Sequence, residues 1–244
     1  MSWRHGLLGF YSEVPMDAIP IRSSGDGRRA FLRKVGALLA GITAWKAAIA
    51  LAEEFAQTIA AIAYAFQRET DAQRRYVDFA GAAIQEGYKG IAYMFTAFAA
   101  SEGVHARNFK GLVTRLGGQA NAAPTTIKRG TTKQNLIAAV DDEIDSIDGL
   151  YPRTLERIQP EGNSEATKLV KFAWESERQH RDLIQKIRRY SPMLFEQVAK
   201  AIDEKTGLYF VCQTCGSTLS KVPSPNCPVC ASAPDQYHQV PIPG

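Results

Sequence analysis

The chain has 244 residues, 45% of them hydrophobic and 22% charged, which excludes a disordered or fibrous protein and leaves room for one larger domain and one small one. Its formal charge of +4 is carried by residues 1–52, where seven Lys/Arg face three Asp/Glu, and the remainder balances to zero. A neutral body has no basic footprint, so no nucleic-acid partner is expected.

Residues 28–35 read RRAFLRKV and continue into the apolar run VGALLAGITAW. A paired arginine, then Phe-Leu-Arg, then a moderate apolar stretch resembles a bacterial twin-arginine export signal. The triplets AIA (48–50) and ALA (50–52) offer small-residue cleavage points. The apolar run is short for a bilayer span. The expectation is a leader over 1–52 and a periplasmic protein. The alternative is an uncleaved extra helix on a cytoplasmic one.

From 53 to about 190 no segment alternates like a strand. Residues 54–84 are rich in Ala, Gln, Arg and Glu, with apolar residues at three- and four-residue steps, and read as a helix. A second helix is expected over 87–116, ended by the glycines at 117–118. A connection rich in Gly, Asn, Pro and Thr covers 117–132. A third helix is expected over 133–158, stopping near Pro160-Glu161-Gly162. A fourth covers 163–190 and stops before Ser191-Pro192. Four long helices make a bundle.

Two of the four histidines sit in a repeated pattern. Glu102 and His105 in ASEGVHARNF recur as Glu177 and His180 in ESERQH. Each Glu-x-x-His pair puts a carboxylate and an imidazole side by side on one helix face, within reach of one metal ion. Single acids stand at matching places in the other two helices. Glu69 precedes Glu102 by 33 residues and Glu143 precedes Glu177 by 34. Two hairpins of nearly equal length would bring each acid level with its own pair. The arrangement is that of ferritin-like dimetal carboxylate proteins. Two adjacent divalent ions repel each other, so four carboxylates must neutralise them and neutral imidazoles complete the shells.

All four cysteines lie at or beyond position 212, in two Cys-x-x-Cys knuckles eleven residues apart: Cys212 and Cys215, then Cys227 and Cys230. This is no disulfide framework for the whole chain. The spacing points to a tetrahedral four-thiolate site that a module this short needs in order to fold. Gly216 permits the tight turn after the first knuckle, and Pro228 stiffens the second. Iron and zinc both accept four sulfurs in this geometry.

Taken together, ETDAQRRY (69–76), EGVHA (102–106), NLIAAVDDE…LYP (135–152), ERQH (177–180) and the four cysteines resemble the rubrerythrins. The resemblance implies a mainly α protein: a ferritin-like diiron four-helix bundle over 53–190, a linker over 191–207 and a rubredoxin-like domain over 208–244. It implies two irons held by Glu69, Glu102, His105, Glu143, Glu177 and His180, and one iron (or zinc) at the cysteines. Tyr76 and Tyr151 match the family's tyrosines beside the diiron site. Further implications are reduction of hydrogen peroxide to water, an upstream electron-donor protein and a homodimer, electrons often crossing from the partner subunit. One position departs from the pattern. Rubrerythrins usually carry another Glu three residues beyond the third-helix ligand, and here that residue is Ser146. The remaining six-ligand set is closer to ferritins, so ferrous-iron oxidation or iron handling is an alternative activity. A zinc-ribbon interaction protein with a vestigial bundle is another.

Overall fold

A computed structural model describes residues 25–188, 195, 197, 200, 202 and 207–243. The chain divides into two units, Met1–Trp45 and Lys46–Gly244. In the first unit the described part belongs to helix α1 (Gly25–Glu54), on which Arg29, Phe31 and Leu32 are exposed. Residues 1–24 of the expected leader and most of the expected linker lie outside the described residues. No single helix among the described residues is long and apolar enough to cross a membrane.

The second unit holds α2 (Ala56–Gln85), α3 (Lys89–Arg115), α4 (Thr132–Asp145), α5 (Tyr151–Ile158) and α6 (Ser164–Arg188). Helix α2 buries Ile62, Phe66, Glu69, Tyr76, Phe79 and Ala83 along one stripe, the face its periodicity predicts. Helix starts are satisfied partly across the bundle. Phe55 gives α2 no side-chain cap, and the Glu161 carboxylate accepts instead from Gln57 N and Thr58 N, both at 2.8 Å. Helix α4 has a capping box between Thr131 and Gln134, and Glu86 accepts from Thr132 N at 3.1 Å. Both borrowed carboxylates place a negative charge where free N–H groups and the helix dipole favour it.

The third expected helix is not a uniform α-helix. Between α4 and α5, Ser146–Leu150 form a π-helical turn, and Tyr151 N–H donates to Ser146 O, five residues back. Pro152 supplies the reason. It has no N–H, and its ring would collide with the carbonyl four residues earlier in an α-helix, so the turn before it widens. Carbonyls loosened there find other donors: Trp174 Nε1 donates to Ile147 O at 2.9 Å and Thr154 Oγ1 to Leu150 O at 2.8 Å.

Two apolar clusters fill the bundle. One gathers Ile62, Phe66, Phe109, Leu112, Ile158 and Val170. The other gathers Phe79, Ile91, Phe95, Phe98, Leu136 and Val140. On every helix the residues singled out by the repeat lie between these two clusters in sequence. The polar layer is therefore sealed on both sides by core.

The C-terminal segment forms a three-stranded antiparallel sheet, β1 (Phe210–Cys212), β2 (Thr218–Leu219) and β3 (Tyr237–Gln239), in the order β2-β1-β3. It packs on α3, with Val211 and Val240 against Tyr93, Ala97 and Val104. Tyr93 donates to Val240 O and accepts from Tyr209 N. Asn108 and Arg107 donate to the carbonyls of Thr214 and Gln213, each at 2.9 Å.

Candidate metal centre

The six residues singled out by the repeat converge in the polar layer. Glu69 comes from α2, Glu102 and His105 from α3, Glu143 from α4, and Glu177 and His180 from α6. All six are buried. They form two overlapping groups: Glu69, Glu102, His105 and Glu177, and then Glu102, Glu143, Glu177 and His180, each with one potential ligand atom per residue within 4.8 Å of the others. Glu102 and Glu177 belong to both groups, which is the position of bridging carboxylates. Each acid is level with its own Glu-x-x-His pair.

Both imidazoles aim Nδ1 at the centre. His105 Nδ1 lies 2.9 Å from Glu102, 3.2 Å from Glu177 and 3.3 Å from Glu69. His180 Nδ1 lies 3.2 Å from both Glu102 and Glu177 and 3.7 Å from Glu143. The outer nitrogens are occupied by the cysteine module: His105 Nε2 is 3.1 Å from Cys215 O and His180 Nε2 is 3.2 Å from Thr218 Oγ1. An acceptor on Nε2 fixes the tautomer that leaves the Nδ1 lone pair for a metal.

A cation fits this donor set. Burial pushes the Glu69 and Glu143 carboxyls up to about 8. Burial also acts against ionisation of Glu102, but His180 and His105 hold it down at about 2. Burial opposes charge on both imidazoles as well, yet the surrounding carboxylates raise them well above the ordinary range. Four acids enclosed with only two imidazoles require positive charge between them. Glu102 Oε1 and Glu143 Oε2 are moreover buried without a hydrogen-bond partner, which a metal would supply. Tyr76 OH donates to Glu143 Oε1, and Tyr151 OH donates to Glu69 Oε1 at 2.6 Å and to Glu177 Oε1 at 3.2 Å. Each tyrosine thus reaches across to the acid of the opposite helix. Ser146 is near the centre, while its neighbour Asp145 turns outward to Arg68.

The four cysteines also gather, with Cys212 Sγ 3.7 Å from Cys230 Sγ and Cys215 Sγ 3.6 Å from Cys227 Sγ, all within 4.8 Å of one another. The knuckles are built alike: Gly216 N donates to Cys212 O and Ala231 N to Cys227 O, both at 2.9 Å. Cys215 beside it holds the Cys212 thiol down at about 4, and the same contact pushes Cys215 up. A metal ion would let all four be thiolates.

Other residues of the site were not evident in the sequence. Ser101 and Ser176 meet at 3.4 Å, and Ser101 donates to Gly216 O at 2.7 Å. Thr218 N donates to Gln179 Oε1 at 3.0 Å. The signal for the serines was present, since each directly precedes the Glu of a Glu-x-x-His pair.

A bundle with a duplicated carboxylate–histidine layer, followed by a four-cysteine module, defines a ferritin-like dimetal protein. The rubrerythrin family model matches residues 61–188. Rubrerythrin from Porphyromonas gingivalis is 30% identical over 177 residues, spanning 72% of this chain and 85% of the relative. Nigerythrin from Nitratidesulfovibrio vulgaris is 28% identical over 170 residues, 69% of this chain and 79% of the relative. The solved structure of nigerythrin in its mixed-valence state superimposes with a TM-score of 0.62 at 26% identity, over 75% of this chain and 86% of that one. Bacterioferritin from Desulfovibrio desulfuricans shares the bundle fold at 19% identity, with a TM-score of 0.58 over 62% of this chain and 90% of that one. The chain belongs to the rubrerythrin family of diiron oxidoreductases, with two irons in the bundle and one iron or zinc at the cysteines.

Proposed function

We propose that this protein reduces hydrogen peroxide to water, with electrons passing from an iron at the four cysteines to the bundle centre. The observation that carries this reading is the contact between His105 Nε2 and Cys215 O at 3.1 Å. A donor to one centre thereby touches the backbone of a donor to the other. Glu69, Glu102, His105, Glu143, Glu177 and His180 would hold two irons, which when bound would supply the two electrons that reduction of an O–O bond requires. Two protons complete the conversion to two waters. Burial keeps Tyr76 and Tyr151 protonated, well above the ordinary phenol range. Each phenol therefore holds a proton against an outer carboxylate, Tyr76 on Glu143 and Tyr151 on Glu69. The apolar clusters on either side keep bulk water out. An external one-electron donor protein must reload the module. The module lies on the bundle of its own chain, so this contact needs no partner subunit.

Metal-loaded Cys212→Ser is expected to keep its bundle metals while losing reductant-driven peroxide turnover by at least a hundredfold. Full turnover in that variant would make the module structural. Ferric four-thiolate iron is red and zinc colourless, so an absorption spectrum separates the two occupants. A second reading, ferrous-iron oxidation, is favoured by Ser146 standing where a seventh ligand, a fifth carboxylate, would be. Oxidation of far more than two ferrous ions per chain, with no peroxide turnover, would select it. Export belongs to the same proposal: RRAFLRKV would direct a folded, metal-loaded protein to the periplasm. Equal, full-length cytoplasmic retention of the wild type and an Arg28→Lys, Arg29→Lys variant would refute it.

A further inference from the structure

The cysteine module covers the histidine side of the centre, touching α3 and α6 through Ser101, His105, Gln179 and His180. On the α2/α4 side a cavity of about 10 Å³ reaches inward to Glu69, Glu143 and Tyr76. That is room for roughly one water-sized molecule. Ser146 lines it, and a short neutral side chain leaves the space open.

Two partly exposed ion pairs lie at the edge of this cavity. Arg68 Nη2 lies 2.9 Å from Asp145 Oδ2, and Arg75 Nε lies 2.9 Å from Asp142 Oδ2. Both arginines and Asp142 line the cavity. Their places in the sequence explain this: Arg68, Arg75, Asp142 and Asp145 each directly precede a residue that faces the cavity, namely Glu69, Tyr76, Glu143 and Ser146. A one-residue step around a helix carries a side chain from the interior to the edge of the cleft. The Arg75 contact lacks hydrogen-bond alignment, and both pairs are partly exposed. Pairs of this kind are weak enough to open thermally.

We propose that the pairs Arg68–Asp145 and Arg75–Asp142 form a size-selective latch over the approach to the metal centre, admitting hydrogen peroxide or dioxygen and excluding alkyl hydroperoxides. The substrate class rests on the peroxide reading above. The latch rests on the cavity and its rim alone.

The test uses the full-length, metal-loaded protein. Arg68→Ala with Asp145→Ala removes one charge of each sign, so the net charge at the rim is unchanged while the tie and the arginine side chain over the cavity are lost. Arg178→Ala with Glu175→Ala, an exposed pair elsewhere on α6, is the control. Azide association with the oxidised centre, followed by its absorption band in stopped flow, should accelerate at least fivefold in the first variant and not in the control. The kcat/KM ratio of tert-butyl hydroperoxide to hydrogen peroxide should rise at least tenfold. Ser146→Leu, which fills the cavity, should slow azide at least fivefold with metal content retained, and it decides the matter if the double variant loses metal. Wild-type azide rates in both variants, or equal acceleration in the control, would overturn the latch. Faster azide entry without any peroxide turnover would support the latch and reject the peroxide reading.

Discussion

Gly216 is the residue on which the contact between the two metal sites turns. Its φ of +85° suits the tight turn after Cys215. That alone does not demand glycine, because Ala231 holds the equivalent place in the second knuckle at φ +59°. The deciding factor is space. A Cβ on Gly216 would fall 2.2 Å from His105 Nε2 and 2.9 Å from Ser101 Oγ. His105 is fixed by three carboxylates and cannot yield. Gly216→Ala is therefore expected to retain metal at the cysteines yet lift the module from the bundle. Reduction of the bundle centre should slow at least tenfold in stopped flow, and proteolysis between the domains should accelerate. Unchanged kinetics would mean that the close approach is not needed.

Among the elements, the borrowed helix caps and the π turn matter most. Burial of Glu161 slightly opposes its ionisation, but the hydrogen bonds from Thr58 and Gln57 hold it below the ordinary carboxylate range. Glu161→Gln should cost about 1 kcal/mol at neutral pH. Because the folded-state value is the lower one, this stabilisation is full above the unfolded pKa of about 4.3 and fades as pH falls through the folded value. Urea titrations of wild type and variant should accordingly converge as the pH is taken down through the folded value. A gap that persists there would contradict the charge-based cap.

The repeat itself explains the uneven intervals in the sequence. Tyr76 and Tyr151, Glu86 and Glu161, Ser101 and Ser176, Glu102 and Glu177, and His105 and His180 all lie 75 positions apart, whereas Glu69 and Glu143 lie 74 apart. The extra residue falls in the π turn between Glu143 and Tyr151. Had it been added to a regular helix, everything beyond it would have swung by about 100° around the axis. The turn absorbs it, and Tyr151 still meets Glu69. Ligand-type residues and helix extents were legible because they rest on periodicity and on a spacing that occurs twice. The π turn is not, because a single proline inside a helical pattern does not say whether the turn before it widens, kinks or ends. Nor was the docking of the module, since no local pattern states which surface a small sheet will meet. The ion pairs at Arg68 and Arg75 are hidden for a related reason: on a long helix any charge reads as solvated until its neighbour is known.

At the scale of the whole molecule, metal and fold depend on each other. Four acids are enclosed between two apolar clusters, and among the described residues the basic groups buried with them are two imidazoles, with no buried Lys or Arg to offset their repulsion. A ligand present at a thousand times its dissociation constant stabilises by about 4 kcal/mol, which corresponds to roughly 10 °C in a chain of this size. Chelation should lower the melting temperature by about that much or more, and ferrous iron should restore it. A melting temperature unmoved by chelation would show the layer to be stable without metal.

The cysteine module and the narrow mouth sit on different sides of the same layer, one against α3 and α6, the other between α2 and α4. Thiolate sulfur is itself readily oxidised by peroxide. From the cavity side the carboxylates come first and the imidazoles stand between them and the sulfurs, of which Cys212, Cys215 and Cys227 are buried and Cys230 is partly exposed. The bundle is in this sense a partition wall: under the peroxide reading, an oxidant entering by the cavity would be met by carboxylates and kept from the three buried sulfurs, leaving Cys230 as the one partly open to solvent.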